Sequence, residues 1–205
     1  MANTSPNRPA KRGRPGYDLE TVLGVAVKLF NERGYDSTSM EDLSRKLGIT
    51  KSAIYHHVPS KQELLRLAVN RGLDGLFTEV DKLDEVEGRT IDKLEYLVRA
   101  SVGVLVDQLP FVTLLLRVRG NTKVERDALA RRREFDQIVS ELVSKAVADG
   151  DLRPDVDPAT AARLLFGMVN SLVEWYRPRG GIGADALADT IVAVAFDGLR
   201  VRGED

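Results

Sequence analysis

The sequence predicts an all-α chain in two parts: a small N-terminal three-helix head carrying a helix-turn-helix, and a larger helical body. Three observations lead there. Apolar residues recur at three- and four-residue intervals over most of the 205 residues, and no run alternates at the period of a half-buried strand. Breaks at Gly48, Pro59, Gly88, Pro110 and Gly120-Asn121 and in GDLRPDVDP and RPRGGIG cut the pattern into helix-sized pieces. Charge is divided unevenly: residues 1–61 hold ten Lys/Arg against six Asp/Glu, a net +4, which leaves −5 for the remainder of a chain whose net charge is −1. A basic head on an acidic body is the asymmetry expected when one end meets phosphate and the other does not.

Composition removes several classes. With no cysteine there is no disulfide, no thiolate nucleophile and no cysteine zinc site. Hydrophobic residues at 43% and charged residues at 30% are ordinary for a globular chain. No run approaches the roughly 18 apolar residues of a membrane span, and no apolar h-region follows the basic N-terminal cluster. The expectation is a cytoplasmic protein with no membrane partner.

The elements follow in order. Residues 1–16, MANTSPNRPAKRGRPG, carry little to bury and are expected to form a flexible basic arm. Asp18 is placed to cap a first helix through Leu19, Val22, Ala26, Leu29 and Phe30, ended by Gly34. Thr38 and Glu41 have capping-box spacing for a second helix, with Leu43 and Leu47 facing inward. Gly48 breaks it, Ile49 plugs the turn and Thr50 caps a third. Ser60 and Glu63 repeat the capping-box spacing and open a long helix through Leu64, Leu67, Ala68, Leu76 and Val80. The spacing then predicts helices over residues 90–106, 110–117, 122–148, 158–176 and 184–201. Asp157 before Pro158 is an N-cap with proline at the first helical position. The domains expected are therefore the arm (1–16), the helix-turn-helix head (17–62) and the helical body (63–205).

Function is most legible between Ser39 and Lys61. Gly48 permits a sharp corner while Leu43, Leu47, Ile49 and Ile54 lock two short helices together. Thr50, Lys51, Ser52, Tyr55 and His56 are left outward. Ser, Thr and Lys near a recognition-helix N-terminus can reach base edges, and Tyr and Lys commonly bind phosphate. A helix hairpin with a glycine corner and no DNA role fits the same spacing. Arg8, Lys11, Arg12 and Arg14 suit either a phosphate-tracking arm or a solubilising tail. His56 and His57 are the only histidines, and adjacent helix positions diverge by roughly 100°, so no shared metal site is expected. RRRE at 131–134 reads as a solvated helix face, and GGIG at 180–183, with no strand before it, as a flexible connection.

Residues 18–65 resemble the DNA-binding domain of the TetR family of one-component repressors. Ala26, Leu29, Phe30, Gly34, Tyr35, Ser39, Leu43, Leu47, Gly48 and Ile49 carry the resemblance, continued by Ile54, Tyr55, His57, Ser60, Lys61, Leu64 and Leu65. Ser52 stands where glycine is common and Val58 where phenylalanine is. The resemblance implies Ser39 and Lys61 as further DNA-face residues, a packed position for His57, and a homodimer on a palindromic double-stranded operator. It also implies a body that dimerises through its last two helices and holds a small-molecule inducer between the others, with no cofactor and no metal.

Two stripes suit the implied dimer interface: Leu164, Leu165, Met168 and Leu172, and Leu187, Ile191, Ala195 and Leu199. Either stripe could serve the monomer core instead. Phe111, Leu115, Phe135, Phe166, Val169 and Trp175 are candidate pocket walls, and Asn170, an amide inside LLFGMVNSLVEWY, bonds either an inducer or a neighbouring helix. GDLRPDVDPATAARLLFGMVNSLVEWYRP is similar to the branch of the family that answers to acyl-CoA thioesters, for which Arg99, Arg117 and Arg119 are available phosphate contacts. The function this implies is a repressor released from its operator by a hydrophobic metabolite. The competing classes are a DNA-binding adaptor without a ligand and an enzyme, for which no nucleophile–base–acid set is legible.

Overall fold

The computed structural model describes residues 18–178 and 180–199. Nine α-helices and no strand occur among them. They are α1 (Leu19–Arg33), α2 (Met40–Leu47), α3 (Lys51–Tyr55), α4 (Lys61–Asp81), α5 (Thr90–Asp107), α6 (Leu109–Arg117), α7 (Lys123–Ala148), α8 (Pro158–Trp175) and α9 (Ala184–Leu199), with a short 3-10 turn at Lys82–Asp84.

Side-chain caps set the helix starts. Asp18 accepts from the Thr21 N–H at 2.8 Å, and Asp157 accepts from the Thr160 N–H at 2.8 Å ahead of Pro158. Those hydrogen bonds hold both carboxyls below the usual carboxylate range. The second helix is capped one residue later than the sequence suggests. Ser39 and Asp42 form the reciprocal capping box, whereas Thr38 is buried and donates to the Gly34 carbonyl at 2.8 Å. Burial decides the register, because a buried hydroxyl needs a partner that an exposed cap position would not supply. At Ser60 only half of the expected box forms: its hydroxyl accepts from the Glu63 N–H at 3.0 Å, while the Glu63 carboxylate turns to Arg66. Gly48 adopts φ 69°, ψ 29° and returns its N–H to the Ser44 carbonyl, so the corner between α2 and α3 needs glycine.

Two apolar cores result. The body core joins α5, α7, α8 and α9 around Leu94, Val98, Val139, Leu165, Val169 and Phe196. The head core gathers Val22, Phe30, Leu43, Ile54, Leu64 and Leu65, and it does not stop at residue 62: it runs along α4 to Leu73 and takes in Phe111, Leu114 and Leu115 of α6 and Ala128 of α7. Polar ties follow the same seam. Asn31 donates to the Pro110 carbonyl at 2.8 Å and Arg117 donates to the Asn31 carbonyl at 3.0 Å. Arg71 pairs with Glu20, donates to Gln108 at 2.8 Å and lies 4.4 Å over the Phe111 ring. The head is thus seated on α4 and α6. No single helix among the described residues is long and apolar enough to cross a membrane. Only α5 and α6 together have the composition; they are bent 101° apart, and their apolar residues feed the two cores.

Candidate nucleic-acid interface and ligand chamber

α3 presents Thr50, Lys51, Ser52, Tyr55 and His56 on its solvent side while Ile54 anchors it in the head core. Thr50 also caps the helix, its hydroxyl accepting from the Ala53 N–H at 3.2 Å. Lys51 is paired with Glu41 of α2 at 3.0 Å, with both side chains largely in water. An exposed pair of this kind is worth about 0.2–1 kcal/mol, little to give up on meeting a phosphate. Tyr55 is 49% exposed, unusual for an aromatic ring and suited to lying along a sugar-phosphate backbone. Ser39 sits exposed at the α2 start, with its hydroxyl on Asp42 at 2.6 Å.

Two positions differ from expectation. His57 does not pack under the helix but is exposed beside His56; Val58, 1% exposed, fills the inward position instead. Lys61 is not a free phosphate contact: its ammonium donates to the Tyr35 carbonyl at 2.9 Å and the Thr38 carbonyl at 2.8 Å and lies 4.2 Å over the Tyr35 ring. It ties the α1–α2 loop to the start of α4. Arg12 and Arg14 lie outside the described residues.

In the body, a chamber of about 40 Å³ lies between α4, α6, α7 and α8. Leu115, Phe135, Phe166 and Asn170 line it as expected, joined by Leu73, Leu76, Val112, Leu116, Arg132 and Asp136. Asn170 makes no side-chain hydrogen bond among the described residues, so no neighbouring helix holds its amide. Phe111 and Val169 are core residues that do not line it, held by the head core and the body core respectively. Trp175 is excluded as a wall, because the end of α8 turns it outward and leaves it 54% exposed.

A surface groove of about 260 Å³ between α7 and α8 adjoins the chamber, and Asp136 and Phe166 line both. Arg133 and Arg163 stand in this groove and Arg132 in the chamber. None of the three arginines has a direct ion pair or side-chain hydrogen bond among the described residues. Desolvation pushes the Asp136 carboxyl above the ordinary range, against the longer-range pull of Arg132 and Arg163. The arginines singled out from sequence are engaged elsewhere: Arg99 pairs with Asp189, and Arg117 holds Asn31. Arg119 lines a separate groove at the head–body seam. The RRRE run hid the relevant residues because its members point in different directions. Arg131 pairs with Asp74 at 2.8 Å and covers Phe77, while Arg132 turns inward.

The two stripes on the last helices divide by face. Leu165 and Leu172 are 1% exposed, and Leu187 and Ala195 are also buried, all four in the body core. Leu172 and Leu187 are corrected from interface to core, whereas Leu165 and Ala195 pack in the core and also edge the apolar groove on the outer face of α8 and α9. α8 is apolar over a broad arc, so a single stripe read from sequence mixed its two faces. Leu164 (64% exposed), Met168 and Val194 (65% exposed) line an apolar groove of about 360 Å³ on the outer face of α8 and α9. Ile191 is half-buried, and the Leu199 side chain lies outside the described residues.

Comparison with known proteins agrees in both halves. Residues 22–68 match the model for bacterial regulatory proteins of the tetR family, and residues 87–199 match that for the tetracyclin repressor-like C-terminal domain. The chain is 29% identical over 209 residues to the HTH-type transcriptional repressor KstR2 of Rhodococcus jostii, covering 96% of this chain and 97% of that protein. SCO3833, a TetR-family member from Streptomyces coelicolor A3, superposes with a TM-score of 0.82 at 54% identity, over 88% of this chain and 92% of the other. AibR, crystallised with isovaleryl coenzyme A and operator DNA, gives a TM-score of 0.73 at 27% identity, over 87% and 97%. These relatives are transcriptional regulators rather than enzymes. The chain belongs to the TetR family of DNA-binding transcriptional regulators.

Proposed function

We propose that this protein is a homodimeric repressor released from a two-fold operator by a small amphiphilic metabolite of the acyl-CoA type. One observation carries the reading: Leu73 and Leu115 belong both to the chamber wall and to the head core. A ligand that fills the chamber presses on the residues on which the head is seated. Close-packed interiors do not deform continuously, so added volume at Leu73, Leu76 and Val112 favours a second arrangement of α4 and α6.

The exposed apolar groove of Leu164, Met168 and Val194 suits a second copy of the chain, whose α8 and α9 would complete a four-helix contact. The two α3 helices must then sit about 34–36 Å apart, or a whole-turn multiple, to enter successive major grooves. The ligand acts by differential affinity, binding the arrangement in which that spacing is lost. The unpaired arginines support an anionic head group on the ligand, and the apolar chamber supports a short acyl tail. The ligand named in the AibR structure is of this kind.

Operator binding by fluorescence anisotropy, at fixed salt and with an acyl-CoA series, tests the reading. The expected result is a concentration-dependent loss of affinity with one or more short acyl-CoAs. Unchanged affinity across the series would remove the acyl-CoA assignment.

A further inference from the structure

Resting on that ligand site, we propose that Asp136 is its selectivity filter: it admits a ligand carrying a hydrogen-bond donor where groove meets chamber, and refuses the free carboxylic acid. The position makes the argument. Asp136 and Phe166 are the two residues shared by the basic outer groove and the apolar chamber, so a ligand that reaches from one into the other lies against them.

Asp136 is solvent-exposed at this edge, and its carboxylate has no hydrogen bond and no direct ion pair to protein among the described residues. The charges that act on it are Arg132 of its own helix and Arg163 of α8. From α4 and α6 the chamber receives only Leu73, Leu76, Val112, Leu115 and Leu116, which offer it neither a donor nor a charge. A ligand amide N–H or hydroxyl arriving at the neck would take the place of water on it, whereas a ligand carboxylate would meet a like charge. Asp136 also sets what Arg132 does. Arg132 is the chamber's one cation, and Asp136 beside it supplies a counter-charge that a small acid would otherwise supply.

The ligand that fits is therefore an acyl group joined through a neutral, donor-bearing linker to an anionic head in the groove with Arg133 and Arg163. A pantetheine arm has such a linker. A chamber of about 40 Å³ has room for about three waters, hence for a short acyl tail.

Isothermal titration of the full-length dimer with isovaleryl-CoA and with isovalerate, on wild type, Asp136→Asn, the double variant Asp136→Asn/Arg132→Gln, and Arg133→Ala/Arg163→Ala, decides the matter. Wild type should bind the thioester and not measurably the acid. Asp136→Asn should keep the thioester within a few-fold, because asparagine still accepts a hydrogen bond. It should gain at least about tenfold for the acid, the low end of the effect of a like charge a few ångströms away. Adding Arg132→Gln should abolish that gain, which a merely structural role for Asp136 would not predict. Acid affinity within twofold of wild type in Asp136→Asn overturns the filter while leaving the site intact. Thioester binding that survives Arg133→Ala/Arg163→Ala, or is absent in wild type, overturns the site itself and the filter with it.

Discussion

Replacing Lys61 by methionine separates two roles that a helix-turn-helix lysine can have. Methionine keeps the stem over the Tyr35 ring and removes the ammonium that bonds the Tyr35 and Thr38 carbonyls at 2.9 and 2.8 Å. Hydrogen bonds from a charged donor contribute about 1.5–3 kcal/mol each when desolvated. Lys61 is only partly buried, so halving that range for two bonds gives a loss of roughly 2 kcal/mol. For a chain of this size that is a fall in Tm of about 4–8 °C. The salt dependence of operator binding carries the discrimination. A phosphate contact contributes a slope of about −0.9 in log Kobs against log[salt], so losing one from each protomer would flatten the slope by about 1.8. If Lys61 is the tie seen in the structure, Lys61→Met weakens operator binding through a loosened α1–α2 loop and leaves the slope unchanged. Anisotropy titrations at four or five salt concentrations, with a thermal melt of the same samples, measure both quantities. A flattened slope with an unchanged Tm would refute the positioning role.

Further predictions concern the other surfaces. Lys51→Ala and Tyr55→Phe should weaken operator binding severalfold with Tm within about 1 °C of wild type, since Lys51 loses only an exposed pair; wild-type affinity in both would remove α3 as the reading helix. Leu164→Glu places a charge in the outer α8–α9 groove and should yield a folded monomer by light scattering; a dimer of unchanged mass would move the interface elsewhere. Asp157 has a lowered carboxyl pKa because it caps α8, so its contribution is present above the ordinary value near 3.9 and is lost as pH falls through the lowered one. Asparagine caps without titrating, so Asp157→Asn should lose less Tm than wild type between about pH 5 and pH 2; parallel melting curves would contradict that.

The parts of this fold legible in the sequence are those set by local chemistry. Asp18, Thr50 and Asp157 cap their helices because an acceptor side chain before an apolar-periodic run has few other uses. The Gly48 corner follows from a left-handed backbone that other residues adopt only with strain. What stayed hidden depends on packing between distant segments. The choice between Thr38 and Ser39 as cap turns on which hydroxyl the α1–α2 loop buries. The division of α8 into Leu165 inward and Leu164 outward turns on where α5, α7 and α9 lie. The chamber's cation was overlooked for a third reason: in RRRE, adjacent arginines share a composition but not a direction, so Arg131 covers Phe77 while Arg132 faces the cavity. Charge runs are read as solvated faces by default, and here one member is not.

On the proposed mechanism, ligand in the chamber moves the two heads through α4 and α6. The chain has no cysteine, so a single Lys28→Cys substitution on the exposed face of α1 yields one spin label per protomer. Double electron–electron resonance on that dimer reads the head-to-head distance with operator, with isovaleryl-CoA, and with neither. A narrow distribution on operator that shifts by several ångströms on adding the thioester is the predicted result. Release of operator with the distance unchanged would contradict the account, because the ligand would then act without moving the heads.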